Sequence, residues 1–217
     1  MDSVVSYEYQ PLVESDAIRL LELQPSRDLD AQVECSLIST TLSACDEDLV
    51  EHYTALSYVW GDANVEKKIL VEGNAFSITT NLDTALRNMR DAKRKRFVWA
   101  DAICINQSDV TEKNQQVTQM GKIYQDARHT IIFLGESTPD SHLVMEALRG
   151  KRSLDEYSAS LPWASVFSRS WFTRVWVFQE LMLSRDPWVQ CGRKSVRWHG
   201  CSRQLWPSRV LHISTAL

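Results

Sequence analysis

From residue 53 onward, apolar segments typical of buried strands alternate with segments whose apolar residues have helical spacing. The predicted order is strand, hairpin, helix, strand, helix, strand, polar insertion, helix and strand. Crossovers that carry the chain from strand to helix to strand produce parallel pairing, with the helices packed on the faces of the sheet. The sequence therefore predicts an α/β fold with a mostly parallel, Rossmann-like sheet flanked by helices.

A pair of predicted strands precedes this alternating part. They cover residues 17–23 and 32–42, and the Pro-Ser-Arg-Asp turn region between them predicts an added N-terminal β-hairpin. Residues 1–16 are polar and unpatterned, which predicts a flexible lead-in before the first strand.

The other predicted strands are residues 53–60, 68–72, 75–78, 97–105, 129–135 and 188–191. The predicted helices comprise one capped by Thr80 or Asn81, one opened by a capping box of Asp109 and Glu112, a short one over 142–149, and a long one over 162–184. The expected buried stripe of the first helix consists of Leu82, Ala85, Leu86 and Met89. That of the second helix consists of Val117, Met120, Tyr124 and Ala127.

Composition excludes the common glycine-based nucleotide motifs. The chain has 7 glycines in 217 residues, and no two of them are spaced as G-x-G. No Gly-Lys pair has a glycine five positions earlier, so a Walker A loop is also absent. The net charge of −4 argues against nucleic acid as a partner, because contacts with phosphates need a basic surface.

Cysteine and histidine patterns bear on metal sites and on the cellular compartment. The 5 cysteines form no C-x-x-C pair and the 5 histidines lack ligand spacing, so no metal site is expected. The N-terminal segment lacks the basic and apolar regions of a secretory signal, and no apolar stretch of about 18 residues is present to span a membrane. These features predict reduced thiols, a cytoplasmic location and no resident cofactor.

Four segments together carry a resemblance to a known family. They are YTALSYVWGD (53–62), ITTNLDTALRNMR (78–90), FVWADAICINQSDVTEKNQQVTQMGKIYQDA (97–127) and FSRSWFTRVWVFQE (167–180). Their order and spacing resemble the fungal heterokaryon-incompatibility (HET) domain. Members of that family are intracellular proteins of fungal allorecognition that trigger programmed cell death when genetically different hyphae fuse. The resemblance implies that residues 17–200 form a HET domain.

Residues 201–217 do not share this resemblance. Proteins of the family continue well past the domain into a variable region, whereas CSRQLWPSRVLHISTAL has no clear periodicity. We therefore expect an atypical tail, as in a truncated or altered gene product or an excised fragment.

A more remote resemblance concerns chemistry. The strand-to-helix order is similar to that of Toll/interleukin-1 receptor (TIR) domains, whose later helix carries a W-x-x-x-E pattern, matched here by Trp176 and Glu180. Catalytic TIR domains cleave the nicotinamide–ribose bond of NAD, whereas other members are scaffolds. The resemblance implies that NAD is a candidate substrate and that Glu180 is the candidate catalytic residue.

Trp176 and Glu180 have a physical rationale for this reaction. Residues i and i+4 of a helix lie on the same face, so a carboxylate that stabilises an oxocarbenium-like ribose would lie beside an aromatic face for the departing ring. The alternative interpretation is structural: Trp176 packs on the sheet, and Glu180 forms an ion pair with Arg174 or another arginine. Under either interpretation, a carboxylate among apolar neighbours is costly to bury without a partner.

Further candidate ligand-binding residues follow the predicted strands, because ligands of parallel α/β sheets bind beyond the carboxyl ends of the strands. They are Tyr58, Trp60, Gly61, Asp62, Asp101, Asn106 and Gln107. Gly61 permits close approach of the backbone to a ligand, and Asp101 can accept hydrogen bonds from ribose hydroxyls.

Each of these residues also has a structural interpretation. Asp101 can be a buried acid bonded to neighbouring amides or hydroxyls, and Trp60 can pack in the core or in a loop. Asn106 and Gln107 are also typical turn residues before a helix cap.

The sequence leaves two functions open. The first is a TIR-like NAD hydrolase that kills the cell by depleting NAD. The second is a non-catalytic module that transmits a death signal by self-association or by binding another incompatibility protein.

Overall fold

The computed structural model describes residues 7–46, 52–150 and 160–199. A mixed sheet of nine strands runs through this part of the chain. The strands are β1 (Ala17–Leu23), β2 (Glu34–Thr41), β3 (Thr54–Tyr58), β4 (Glu66–Val71), β5 (Asn74–Thr79), β6 (Arg96–Trp99), β7 (His129–Phe133), β8 (Pro187–Cys191) and β9 (Lys194–Arg197). The helices are α1 (Leu42–Asp46), α2 (Thr80–Met89), α3 (Asp101–Cys104), α4 (Val110–Asp126), α5 (Pro139–Leu148), α6 (Ala164–Phe167) and α7 (Val177–Met182), and a 3-10 helix covers Ser170–Thr173.

The strand order in the sheet is β5-β4-β2-β1-β6-β3-β7-β8-β9. Pairing is parallel from β6 through β3 and β7 to β8, and also between β2 and β4. The other four pairs are antiparallel, three of them because a hairpin joins their strands. The α/β fold is therefore confirmed, but the sheet is mixed, and its parallel character is concentrated in four neighbouring strands. The N-terminal hairpin of β1 and β2 is also confirmed.

The four neighbouring parallel strands determine where a ligand site can form. In chain order they are β3, β6, β7 and β8, whereas across the sheet they lie in the order β6, β3, β7 and β8. In this doubly wound order the connections leave β3 and β7 in opposite directions, so a crevice opens at their carboxyl ends. The residues that follow β3 and β6 therefore lie at the edge where such sheets bind ligands.

Helix α2 shows the predicted helical spacing. Leu82, Ala85 and Leu86 are fully buried, so this stripe faces the core. The cap is Thr79 rather than the predicted Thr80 or Asn81, because β5 keeps the backbone extended up to Thr79. The Thr79 hydroxyl accepts a hydrogen bond from the Leu82 N–H at 3.4 Å.

Residues 97–105 differ from the single strand that their apolar character predicts. Strand β6 ends at Trp99, and the chain then forms α3, in which the Cys104 N–H donates to the Ala100 carbonyl at 2.8 Å. Because both pieces are deeply buried, the apolar run has no periodicity that separates a long strand from a strand followed by a helical turn. This turn brings Asp101 to the carboxyl end of β6.

Residues 162–184 also differ from the prediction, because the expected long helix is broken into α6, the 3-10 helix and α7. The breaks fall at Arg169 and Arg174, whose backbones are extended. Between them, Trp171 is only 1% exposed and packs in a second core cluster, together with Phe172. Packing of these large aromatic side chains overrides the local helical spacing.

Helix α4 buries most of the predicted stripe, because Tyr124 and Ala127 are buried and Met120 packs against the core. Gln116, Ile123 and Tyr124 are buried, whereas Val117 is 40% exposed. A buried glutamine is tolerated here because its side-chain amide donates to the Ala17 carbonyl at 2.7 Å.

The start of α4 forms only half of the predicted capping box. Asp109 accepts hydrogen bonds from the N–H groups of Thr111 and Glu112, as expected for a cap. The Glu112 side chain binds the buried Arg19 at 2.6 and 2.9 Å and the Asn106 N–H at 2.7 Å instead. The glutamate is therefore used to neutralise Arg19.

Candidate functional site

A buried carboxylate, Glu180, lies against the carboxyl end of β3. It is 2% exposed, and the guanidinium of Arg174 donates to its two oxygens at 3.1 and 3.2 Å. The Ser57 hydroxyl donates to the same carboxylate, and the Trp171 indole N–H donates to Ser57 at 2.6 Å. Both carboxylate oxygens therefore have protein partners, which the burial of a charge requires.

The Trp-x-x-x-Glu segment spans one turn at the start of α7. The Glu180 N–H donates to the Trp176 carbonyl at 3.2 Å, but the two side chains have different environments. Trp176 is 50% exposed and the preceding Val175 is 89% exposed. The ion pair between Glu180 and Arg174 agrees with the structural interpretation, whereas the packing of Trp176 on the sheet does not occur.

A second carboxylate, Asp101, begins α3 directly after β6. Its oxygens accept hydrogen bonds from the Trp60 indole at 2.9 Å and from the Ala102 N–H at 2.8 Å. Burial raises the pKa of Asp101, and the negative charge of Glu180 adds to this effect, while the two hydrogen bonds and the positive charge of Arg174 oppose it. Trp60 is 39% exposed and covers Asp101 from the loop after β3.

Two tyrosines complete the surroundings of the carboxylates. Tyr58 ends β3 and is 2% exposed, and its hydroxyl has no hydrogen-bond partner within residues 7–46, 52–150 and 160–199. Burial, the nearby charge of Asp101 and the interaction of the phenol hydroxyl with the Asp101 carboxylate raise its pKa. Tyr124 of α4 donates to the Leu56 carbonyl at 3.3 Å, and burial together with the charges of Glu180 and Asp101 raises its pKa.

These residues form one buried polar group at the carboxyl edge of the sheet. We call it the carboxylate cluster; it consists of Tyr58, Asp101, Tyr124, Arg174 and Glu180. Its members come from five different elements or loops. The charge of Asp101 acts on both phenols, and the charge of Glu180 acts on Asp101 and on Tyr124. The cluster can therefore place two acids of different environments near one ligand, an arrangement typical of acid–base sites.

Gly61 and Asp62 have local structural roles. Gly61 has φ = 80°, and a Cβ at this position would lie 2.7 Å from the Asn81 side-chain amide. The close approach that requires glycine is therefore to Asn81 rather than to an open ligand site. The Asp62 carboxylate accepts hydrogen bonds from the N–H and the side chain of Asn64, both at 2.9 Å.

Asn106 and Gln107 form the turn between α3 and α4. The Asn106 side chain accepts from the Ser108 N–H at 3.2 Å, as in an Asx turn. Gln107 donates to the Asp101 backbone carbonyl at 2.9 Å. The Gln107 side chain therefore supports the position of Asp101, and both residues have the turn contacts of the structural interpretation.

Three residues at the site are not among the candidate site residues that the sequence predicts: Ser57 and Trp171, which contact the cluster, and Tyr124, which belongs to it. Ser57 is the one polar residue in strand β3 that is fully enclosed, at 1% exposure. A hydroxyl inside an apolar strand is a weak signal for a buried polar partner. The other two are aromatic, and their apolar character conceals the roles of the indole N–H and the phenol.

A cavity of about 320 Å³ lies beyond the carboxyl ends of β7 and β8. Its walls include Arg87 and Asn88 of α2, Glu136 after β7, and Arg193 after β8. Neither Asp101 nor Glu180 lines it, so this cavity is separate from the carboxylate cluster.

Within the described residues, no group of three or more histidine, cysteine, aspartate or glutamate side chains is placed to hold a metal ion. The same part of the chain contains no helix with the length and apolar character needed to cross a membrane.

The comparison with known families decides the affiliation of the chain. The family model described as heterokaryon incompatibility protein (HET) matches residues 53–180, from the start of β3 to the buried glutamate. The chain belongs to the heterokaryon incompatibility family. The match includes every member of the carboxylate cluster. The predicted boundaries of the HET domain, 17 and 200, stay a prediction, and residues 201–217 lie outside the described residues.

Two curated fungal relatives are similar to the chain. Heterokaryon incompatibility protein 6, OR allele, of Neurospora crassa is 31% identical over 247 aligned residues, which cover 88% of this chain and 36% of the relative. Vegetative incompatibility protein HET-E-1 of Podospora anserina is 31% identical over 139 residues, covering 60% of this chain and 9% of the relative. The chain therefore spans about a third of the first relative and less than a tenth of the second. No solved structure matches the chain.

Proposed function

We propose that this chain acts in fungal non-self recognition and that its output is programmed cell death. The support is its membership of the HET family and its similarity to a heterokaryon and a vegetative incompatibility protein. The proposal assigns this role to the region that the family shares, and it includes a cytoplasmic location.

We further propose that the chain hydrolyses NAD at the nicotinamide–ribose bond, as catalytic TIR domains do, with Glu180 as the catalytic carboxylate. The observation that supports this chemistry is the position of Glu180, buried beside Asp101 at the carboxyl end of a parallel strand. Ligands of doubly wound sheets bind at this edge.

The reaction places one main demand on the protein. The nicotinamide ring of NAD is cationic, so it takes the electron pair of the breaking bond and leaves as a neutral molecule. Positive charge then develops on the ribose, and a carboxylate in a water-poor site stabilises that charge strongly. Glu180 provides such a carboxylate.

Arg174 is the group that a substrate would displace. In this structure its guanidinium neutralises Glu180, while its own side chain is 22% exposed. A cationic nicotinamide–ribose unit would replace Arg174 as the positive partner of Glu180, so the carboxylate would not be left uncompensated. Trp60 and Trp176, both partly exposed, provide aromatic faces for the ring.

The test is incubation of the purified chain with NAD, with release of nicotinamide measured by chromatography. We expect release by the unaltered chain and a loss of at least about 100-fold in Glu180→Gln, because the developing charge then lacks its carboxylate. The control Glu66→Gln alters an exposed glutamate of β4 and should keep full activity. Equal activity in a folded Glu180→Gln variant would exclude Glu180 as the catalytic carboxylate.

The partnered state of Glu180 favours a second candidate function, a non-catalytic signalling module. Arg174 and Ser57 bind both carboxylate oxygens of Glu180. In this second function, the role of Glu180 is to anchor α7 to the sheet. Self-association or another incompatibility protein would then transmit the signal. Expression in fungal cells separates the two: cell death with Glu180→Gln at unchanged NAD levels supports the signalling module.

A further inference from the structure

The two carboxylates of the cluster differ in their partners and in their access to water. Glu180 is 2% exposed and forms an ion pair with Arg174. Asp101 is only partly buried, and its hydrogen bonds come from neutral donors, the Trp60 indole and the Ala102 N–H. Paired acids in unequal environments take different roles in acid–base chemistry.

We propose that Asp101 is the general base that activates the attacking water in this hydrolysis. The inference rests on the proposed NAD hydrolysis and assigns its second step. After nicotinamide leaves with the electron pair of the bond, the water oxygen forms a bond to ribose C1′, and one proton of the water passes to the Asp101 carboxylate. The products are ADP-ribose and nicotinamide, and Asp101 later releases the proton to solvent.

The geometry around Asp101 suits this role. Tyr58 is 2% exposed, and its hydroxyl lies next to the Asp101 carboxylate but forms no hydrogen bond of ordinary length with any group in the described part of the chain. A buried hydroxyl with unused hydrogen-bonding capacity is placed to hold a water molecule or a ribose hydroxyl beside the carboxylate. Trp60 covers the same carboxylate and is 39% exposed, so solvent reaches this side of the cluster.

The charges around Asp101 determine how the rate of the proposed hydrolysis depends on pH. Glu180 of α7 and the phenols of Tyr58 and Tyr124 face this region, and Arg174 supplies the positive charge. Burial and Glu180 raise the pKa of Asp101. A general base works only when it is ionised, so hydrolysis should fall as the pH drops through this raised pKa. The variant Asp101→Asn should lose that limb of the pH profile.

The test compares two fates of the ribose cation in the same protein. Attack by water needs a base, whereas attack by isotopically labelled nicotinamide re-forms NAD without any proton transfer. We expect Asp101→Asn to lower hydrolysis by about 100-fold or more while exchange of labelled nicotinamide into NAD persists. Glu180→Gln should lose both reactions, because both pass through the same charged ribose.

Controls keep the outcomes distinct. Asp140→Asn changes an exposed aspartate of α5 and should leave both rates unchanged, and thermal unfolding checks that Asp101→Asn is folded. Hydrolysis at the unaltered rate in Asp101→Asn, or an equal loss of hydrolysis and exchange, overturns the role of Asp101 while NAD cleavage itself stands. A chain that neither hydrolyses nor exchanges NAD overturns the proposed enzymatic function and this inference with it.

Discussion

The guanidinium of Arg174 contacts both carboxylate oxygens of Glu180, whose side chain is 3% exposed. Removing one partner of a buried ion pair leaves the other charge unpaired in a medium that solvates it poorly. We expect Arg174→Ala to lower the free energy of unfolding by about 3 kcal/mol, measured by urea denaturation. Water can partly enter the space that Arg174 leaves, so the expected loss of stability lies at the lower end of the range for buried ion pairs.

The double variant Arg174→Ala/Glu180→Gln provides the control for this prediction. It leaves no unpaired charge at position 180, so it should recover part of the stability that Arg174→Ala loses, and the effects of the two single substitutions should not add. A loss below about 0.5 kcal/mol in Arg174→Ala would contradict the prediction, because it is typical of an exposed ion pair.

For individual residues, the sequence predicts the two carboxylates of the cluster better than it predicts their hydrogen-bond partners. The W-x-x-x-E pattern singles out Glu180, and a nearby arginine is expected for any buried carboxylate. The orphaned hydroxyl of Tyr58 and the enclosed hydroxyl of Ser57 are not predictable, because burial of a single polar atom depends on which distant side chains surround it.

Two glycines provide a matched test at the scale of elements. Gly121 lies inside α4 with helical backbone, and an added Cβ would lie 3.1 Å from the end of Leu183, a side chain that is 41% exposed. Because Leu183 can move, Gly121→Ala should raise the free energy of unfolding by up to about 1 kcal/mol through higher helix propensity. Thermal or urea unfolding measures the change.

Gly192, in the turn between β8 and β9, should respond in the opposite way. It has φ = 54°, and a Cβ there would lie 2.9 Å from the Cβ of Ser137 and 3.3 Å from its backbone nitrogen. Left-handed backbone and this contact together should make Gly192→Ala destabilising by more than about 1 kcal/mol. The Gly121→Ala prediction would be contradicted by a lower free energy of unfolding, which would show that the Leu183 side chain cannot move away from the added Cβ.

Strand β1 and helix α2 are the elements that agree best with the sequence prediction. Strand β1 has its predicted bounds, and α2 buries the predicted stripe. The prediction fails over residues 97–105, where every residue except Asp101 is apolar, and over residues 162–184, where apolar and aromatic residues are not confined to one face. Apolar residues on all sides carry no period, so packing decides where the chain turns, and these turns position Asp101 and Arg174.

For the whole molecule, the sequence predicts the parallel strands and hence the edge at which the site lies. Tyr58, Asp101 and Glu180 come from three distant segments, yet they converge because β3 and β6 end at the same edge. The mixed character of the sheet is less predictable. The parallel pairing of β2 with β4 and the antiparallel pairing of β1 with β6 are long-range contacts without a local sequence signal.

The buried thiols predict how the stability of the whole molecule depends on alkaline pH. Burial raises the pKa of Cys35 and Cys104 to about 12 and that of Cys45 to about 11, from an ordinary value of 9.0. Above about pH 9 the unfolded chain loses these protons while the folded chain retains them, so the unfolded state binds fewer protons and stability falls as pH rises. We expect the melting temperature to decline steadily from about pH 9 to about pH 11. The variant Cys45→Ala should show a shallower decline than the unaltered chain, and a melting temperature that stays constant over this range would contradict the burial of these thiols.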